Sequence, residues 1–215
     1  METEQAEAFE TMSRAEVLRA SPRMFEAAWL DRLSRVHHLV PLAIFLPAIG
    51  VLLALGASGD VGPEALLGWF AAGWLTWTLT EYWMHRAVFH FEPERGLGAR
   101  LHWIIHGVHH DHPNDPLRLV MPPSVSVPLA GLFFALFVLV VGTPDAYPFT
   151  AGFLGGYLAY DMVHYHLHHH APTTRMGRWL RELHMRHHFQ DDTRGFGISA
   201  PYWDVVFRTR VRRRS

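Results

Sequence analysis

Cysteine is absent from these 215 residues, and so is lysine: all 19 basic residues are arginine. Without thiols the chain has no disulfide, no iron–sulfur ligation and no thiol nucleophile. Net charge is nearly absent too, at −1 with histidine neutral. The sequence also lacks a G-x-S-x-G elbow, a phosphate-binding loop, a dinucleotide fingerprint and any nucleic-acid-binding module. Its first thirty residues are acidic and charged rather than apolar, unlike a secretory signal peptide. No low-complexity stretch occurs, and no repeat beyond two halves that each pair apolar runs with histidine-rich blocks. Chemistry carried by side-chain nucleophiles or bound nucleotides is thereby set aside.

What the chain has is strong segregation of apolar and charged residues. Four apolar runs, at about 40–56, 65–84, 123–142 and 146–163, each approach the ~20 residues that a helix needs to cross a bilayer. Short joints after residues 56 and 142 would tie them into two helical hairpins. A soluble four-helix bundle would need polar helix faces, and these runs have almost none. Five arginines precede the first run, four lie between the second and third, and ten follow the fourth. The two joints carry only Asp60, Glu64 and Asp145. Cytoplasmic loops collect arginine, so both termini and the histidine-rich blocks are expected on the cytoplasmic side.

Residues 1–39 form a separate segment ahead of a membrane-embedded domain over 40–215. From Ser21-Pro22, the apolar residues Phe25, Trp29, Leu33 and Val36 recur at helical spacing, with Arg32 and Arg35 off that stripe. That pattern predicts an amphipathic helix, lying on the membrane surface or packed on the catalytic domain. Residues 1–12 read as an acidic, poorly ordered tail. The terminal Arg210-Val-Arg-Arg-Arg214 reads as a cytoplasmic membrane anchor.

Ten of the seventeen histidines fall into four clusters: His85 and His90; His106, His109 and His110; His164 and His168; and His184, His187 and His188. Residues three and four apart share a helix face, so each HxxHH triplet is expected to aim three imidazoles at one point. His85 and His90 lie roughly 140° apart on an α-helix, so they serve different metals or straddle a helix end, which Pro93 and Gly96 favour. One zinc or iron takes four to six ligands, so ten imidazoles imply two metals. The other seven (His37, His38, His102, His112, His166, His169 and His170) read as surface or satisfied core residues, although His169 and His170 adjoin a cluster. Asp161, Asp111, Asp115, Glu182 and Asp191 are candidates to orient the ligand rings. Two metals in an all-histidine site, beside an apolar entrance, suggest oxygen activation at an unactivated C–H bond of a lipid.

Several phrases resemble the fatty acid hydroxylase/sterol desaturase superfamily, and within it the fatty acid 2-hydroxylases. They are Glu81-Tyr-Trp-Met-His85-Arg-Ala-Val-Phe-His90-Phe, His106-Gly-Val-His109-His110 with Arg118-Leu-Val-Met-Pro-Pro123, and Gly156-Tyr-Leu-Ala-Tyr-Asp161 leading into His164 and His168. Further on come His184-Met-Arg-His187-His188 and Gly195-Phe-Gly-Ile-Ser-Ala-Pro201 with Trp203-Asp204. The resemblance covers roughly residues 75–208. It implies an all-α integral membrane fold, in which four transmembrane helices lie beneath a cytosolic helical cap holding a histidine-rich di-metal site. The ten clustered histidines match the family's ligands.

The implied reaction is the dioxygen-dependent 2-hydroxylation of a fatty acyl chain, free or in a ceramide-type sphingolipid, by two iron ions, with zinc able to occupy such sites on isolation. Tyr160 and Asp161 would support the reaction, and Tyr157 would lie nearby. Relatives often carry an amino-terminal cytochrome b5 domain. Only about 40 residues precede the first span here, and the heme signature His-Pro-Gly-Gly is missing. Electrons are therefore expected from a separate ferredoxin, cytochrome or flavoprotein reductase. The short, all-arginine chain suggests a bacterial inner-membrane protein. Competing readings are a sterol desaturase or carotenoid ring hydroxylase of the same superfamily, and a histidine-rich metal-handling membrane protein.

Overall fold

A computed structural model describes residues 11–212. Most of the acidic tail, and Arg213 and Arg214 of the terminal run, lie outside the described residues. All regular structure among the described residues is helical. Two short helices come first, α1 (Arg14–Arg19) and α2 (Ala28–Leu33), and then the long α3 (Leu39–Ser58) and α4 (Pro63–Trp83). A π-helical turn, Met84–Phe89, extends α4. Next come α5 (Gly96–His102), a second π-helical turn (Trp103–Gly107) and α6 (Val108–Asp111), which run on without a break. The long helices α7 (Pro123–Val141) and α8 (Ala146–His169) follow, then α9 (Arg175–Phe189) and α10 (Tyr202–Val206).

Every apolar run forms a helix, but the four are not equivalent. Only α3 and α7 are both long and apolar enough to cross a membrane. Just 17% and 11% of their most apolar stretches are buried, so these are not core helices of a soluble bundle. Leu46 and Val51 on α3, and Leu132, Leu136 and Leu139 on α7, stand exposed. α4 and α8 carry Glu81 and Asp161, which lower their apolarity, and they pack on each other in the interior. α8 is the axis of the fold. It packs most extensively against α4, then α3, then α7, while the hairpin partners α3 and α4 touch little. The aromatic core around it includes Phe45, Trp77, Phe137, Phe153 and Tyr157.

Small residues permit that central packing. A Cβ on Gly73 would stand 1.9 Å from the Phe149 carbonyl oxygen, and one on Gly152 would stand 1.9 Å from that of Phe70. The two backbones are thus in contact, a closeness that membrane helices reach through glycine. It sets the relative height of the histidines at the ends of α4 and α8.

The segment before α3 differs from its expected form. Helix covers only Ala28–Leu33, because side chains claim the backbone groups that a helix from Ser21 would use. Arg35 donates to the Ser21 carbonyl at 3.0 Å, and the Met24 amide donates to Asp31 Oδ1 at 2.8 Å. Trp29 and Leu33 remain 65% and 51% exposed, while Met24 and Val36 are buried. This segment clasps the stretch after α6. Arg118 donates to Asp31 Oδ1 at 2.9 Å and to Ser34 Oγ at 3.0 Å, and the Val36 amide reaches the Leu117 carbonyl at 2.7 Å. Backbone and guanidinium bonds hold Asp31 down to about pKa 2 against its burial.

Gly152→Ala is expected to force α4 and α8 apart and destabilise the detergent-solubilised protein by about 2 kcal/mol or more. Thermal unfolding measured by intrinsic tryptophan fluorescence checks this, and an unchanged midpoint would contradict the backbone contact.

Candidate metal centre

The ten clustered histidines converge at one end of the bundle in two groups of five. The first holds His85, His90, His106, His110 and His187, and the second His109, His164, His168, His184 and His188. Within each group, one ring nitrogen per residue lies within 4.8 Å of all the others. None of the other seven histidines enters either group among the described residues.

Local helix geometry explains the partition. The π-helical turn after α4 bonds the His90 amide to the His85 carbonyl at 3.1 Å, the i to i+5 bond that defines a π-helix. It brings two residues that an α-helix would splay onto one side, with rings 4.9 Å apart. The pair therefore serves one group, at the helix end. The HxxHH triplets correct the expectation of one point each. His106 and His110 enter the first group and His109 the second, while His184 and His188 enter the second and His187 the first. Neighbouring residues on an α-helix point roughly 100° apart, so a helix lying between two centres sends its i and i+4 rings to one and its i+3 ring to the other. α6 and α9 both straddle the groups in this way. The groups adjoin closely, with the His110 and His188 ring centroids 4.3 Å apart.

The contacts inside each group are nitrogen to nitrogen. His90 Nε2 lies 3.2 Å from His85 Nε2 and 3.1 Å from His187 Nε2. His164 Nε2 lies 3.1 Å from His109 Nε2, and His168 Nε2 lies 2.7 Å from His184 Nε2. Burial, reinforced by the neighbouring imidazoles, lowers the pKa of His90 and of His109 to about 3 and of His110 to about 2. His106, His184 and His188 move well down for the same reasons. These rings stay neutral near pH 7, and five neutral nitrogens facing one point lack the protons to satisfy one another. A cation meets that need, so each group has the donor set of a metal site, and imidazole suits iron or zinc.

Backbone carbonyls orient two rings of the first group, while His90 Nδ1 faces Glu92 Oε1 at 3.8 Å. His85 Nδ1 donates to the Phe196 carbonyl and His187 Nδ1 to that of Arg194, both at 2.7 Å, which leaves each Nε2 lone pair directed inward. The loop that supplies these carbonyls is anchored by two buried acids. The Ser199 amide donates to Glu81 Oε1 at 2.7 Å, and the Phe196 and Gly197 amides donate to Asp204 at 3.0 and 2.8 Å. Gly195 sits between the two carbonyls at φ +80°, where a Cβ would also come within 2.6 Å of Val211. The carboxylates expected to orient rings have other partners. Asp111 accepts from Trp103, Asp115 caps the Leu117 amide, Glu182 pairs with Arg186, and Asp191 accepts from Thr193. Glu81, Asp204 and Phe196 were visible only as members of family phrases and Arg194 not at all, because a ring-to-carbonyl bond leaves no mark on residue type.

Tyr160 stands beside the second group, its ring 5.6 Å from that of His164 and 5.9 Å from that of Trp77. Asp161, one turn before His164, is 2% exposed. Its carboxylate, the Tyr157 hydroxyl and the Ser126 hydroxyl lie together as one buried polar cluster in which Tyr157 stands between the other two.

The sequence profile of the fatty acid hydroxylase family matches residues 70–209, which include all ten clustered histidines. The chain is 36% identical over 188 residues to a dihydroceramide fatty acyl 2-hydroxylase of Arabidopsis thaliana, covering 87% of this chain and 79% of that one. It is 41% identical over 143 residues to the ceramide very long chain fatty acid hydroxylase of Saccharomyces cerevisiae, covering 65% of this chain and 37% of that protein. Against the fatty acid 2-hydroxylase of Homo sapiens it is 40% identical over 149 residues, or 66% of this chain and 39% of that one. The solved hydroxylase domain of full-length Scs7p superposes with a TM-score of 0.82 at 32% identity, covering 87% of this chain and 72% of that chain.

Metal-stripped protein is expected to lose stability as the pH falls below 6.5, the ordinary histidine value, towards the lowered values near 3. The unfolded chain takes up protons there that the folded site refuses, so acid favours unfolding. Unfolding midpoints of chelator-treated protein between pH 7.5 and 5 measure this, and a flat profile would contradict the neutral, buried state of the rings.

Proposed function

Because this chain belongs to the fatty acid hydroxylase family, we propose that it hydroxylates a fatty acyl chain at the 2-position. Dioxygen is the oxidant, and two iron ions are held by the ten clustered histidines. The observation that carries the reading is the pair of five-imidazole groups, neutral and nitrogen-to-nitrogen, at the end of an apolar bundle. The overall change is C–H + O2 + 2 e⁻ + 2 H⁺ → C–OH + H2O, so the acyl lipid is oxidised and a donor protein supplies both electrons. Iron, when bound, supplies the activation of dioxygen.

The chain's own residues account for the rest. His85 and His187, donating through Nδ1, hold their Nε2 atoms in place. Burial of the site keeps bulk water from the reacting carbon. The buried polar cluster of Asp161, Tyr157 and Ser126 suits the polar head of an acyl substrate, and Tyr160 lines the approach to His164. We assign a ceramide-type sphingolipid or a free fatty acid as substrate, in line with the names of the relatives.

The four long helices are proposed to cross the membrane as two hairpins beneath a cytosolic helical cap. Residues 1–39 lie at the interface and 40–215 form the hydroxylase domain. Both termini and the metal centre are assigned to the cytoplasmic face of a bacterial inner membrane, the orientation that the arginine distribution favours. Electrons come from a ferredoxin, cytochrome or flavoprotein reductase. A metal-handling protein would place its ligands near mid-membrane, whereas these groups sit where the apolar helices end.

The test is lipid mass spectrometry on a bacterial host with and without this chain, fed a perdeuterated fatty acid under air. A 2-hydroxyacyl product that gains one oxygen and loses one deuteron at the carbon beside the carboxyl is expected. A new sterol or carotenoid product in its place would overturn the acyl assignment. His109→Ala is expected to lose a metal and all turnover while still inserting into the membrane. His102→Ala, whose ring lies outside both groups and 3.8 Å from Glu92, should retain both. Metal analysis of the two purified variants separates these outcomes.

A further inference from the structure

We infer that the groove between α9 and α10 is the docking surface for an acidic electron-carrier protein. The inference rests on the hydroxylase reading, which requires two electrons per turnover from outside a chain that has no cysteine for an iron–sulfur cluster and no dinucleotide fingerprint.

A cavity of about 250 Å³ lies between α9 and the loop that orients the first histidine group. His184 of the second group, Gly195, Gly197 and Asp204 are on its wall, together with Arg186 and Arg210. It adjoins a second, more open hollow of about 410 Å³, lined by Met176, Trp179, Tyr202, Val205 and Arg210. Trp179, Leu180, Pro201 and Arg210 line both, so the groove runs from the surface to a histidine of the metal centre. Electron transfer falls off steeply with distance, and this passage leads from solvent to a ligand ring.

The chemistry of the rim fits a protein partner. Met176, Trp179 and Tyr202 are 62%, 43% and 45% exposed, although all three are apolar or aromatic. Aromatic residues, methionine and arginine are the types enriched in the centres of protein interfaces. Beside them the C-terminal segment alternates. Thr209 and Val211 are buried, while Arg208, Arg210 and Arg212 are exposed. The segment is pinned by the Gly195 amide on the Thr209 carbonyl at 2.8 Å and by Gln190 Nε2 on the Arg212 carbonyl at 2.7 Å. None of the three guanidinium groups has an ion pair or side-chain hydrogen bond among the described residues. Of the nearby acids, Asp204 is spent on backbone amides and Thr209, and Glu182 pairs with Arg186.

The row therefore presents three guanidinium groups, without an ion pair among the described residues, on a fixed backbone, with Asp191 turned instead to Arg194. An acidic protein surface answers these charges around an apolar centre that opens onto a ligand ring, His184, which a membrane surface has no use for. Redox complexes use small interfaces of this kind, and charges at their rims act through association rate and salt dependence.

The experiment compares the iron-loaded full-length protein with its R208E/R210E/R212E variant. Both are driven by a reduced acidic two-iron ferredoxin with its NADPH-dependent reductase, or by dithionite with methyl viologen. Reversing the rim charge is expected to raise the KM for ferredoxin by about tenfold or more and to abolish its salt dependence. The dithionite-driven rate and the KM for the acyl lipid should stay unchanged. Binding of oxidised ferredoxin, followed by calorimetry, gives the same comparison without turnover, so a chain inactive with both reductants would sink the hydroxylase reading without deciding this one. Unchanged ferredoxin affinity overturns the inference. So does a loss shared equally by both reductants, or a variant whose defect is release from anionic vesicles, which would make the arginines a membrane anchor.

Discussion

Ten neutral imidazoles with their lone pairs turned inward form an arrangement that protein atoms alone do not satisfy. Nitrogens 2.7–3.2 Å apart repel unless a proton or a cation lies between them, and burial drives the protons away. The rest of the structure serves this constraint. A cation at each of two points would relieve it, and the partition into two groups of five says where those points are. The same feature links stability to metal: whatever fills the groups stabilises the end of the bundle where four separate helical segments meet.

The groups are built by departures from regular helix as much as by helix itself. A π-helical turn collects His85 and His90, and another precedes the short α6 that carries His109 and His110. α6 and α9 each send rings to both centres, so neither centre can shift without moving the other. The contact of α4 with α8 through Gly73 and Gly152 fixes the depth of the platform. The loop held by Glu81 and Asp204 then closes the first centre with two carbonyls. The N-terminal clasp through Asp31 and Arg118 binds the far side of the stretch that follows α6.

Much of this was legible in the residues, for physical reasons that differ by element. The long apolar runs announced α3, α4, α7 and α8 because burial and lipid exposure both select uninterrupted apolar sequence. The same signal did not separate the two exposed apolar helices from the interior pair, since that distinction depends on partners. All ten histidines of the two groups were identified from spacing, yet their allocation was not. Spacing rules assume one target per face, whereas His109 and His187 use the opposite flank of their helices. The helix expected from Ser21 shrank because Arg35 and Asp31 claim its backbone groups. The carbonyls of Arg194 and Phe196 left no trace in residue type, and only their acidic anchors, Glu81 and Asp204, did.

Anomalous scattering at the iron edge, from crystals of protein produced with iron, tests the central claim most directly. Two peaks are predicted, one bounded by His85, His90, His106, His110 and His187, the other by His109, His164, His168, His184 and His188. A single peak, or peaks outside these ten side chains, would contradict a di-metal centre built from two groups of five histidines.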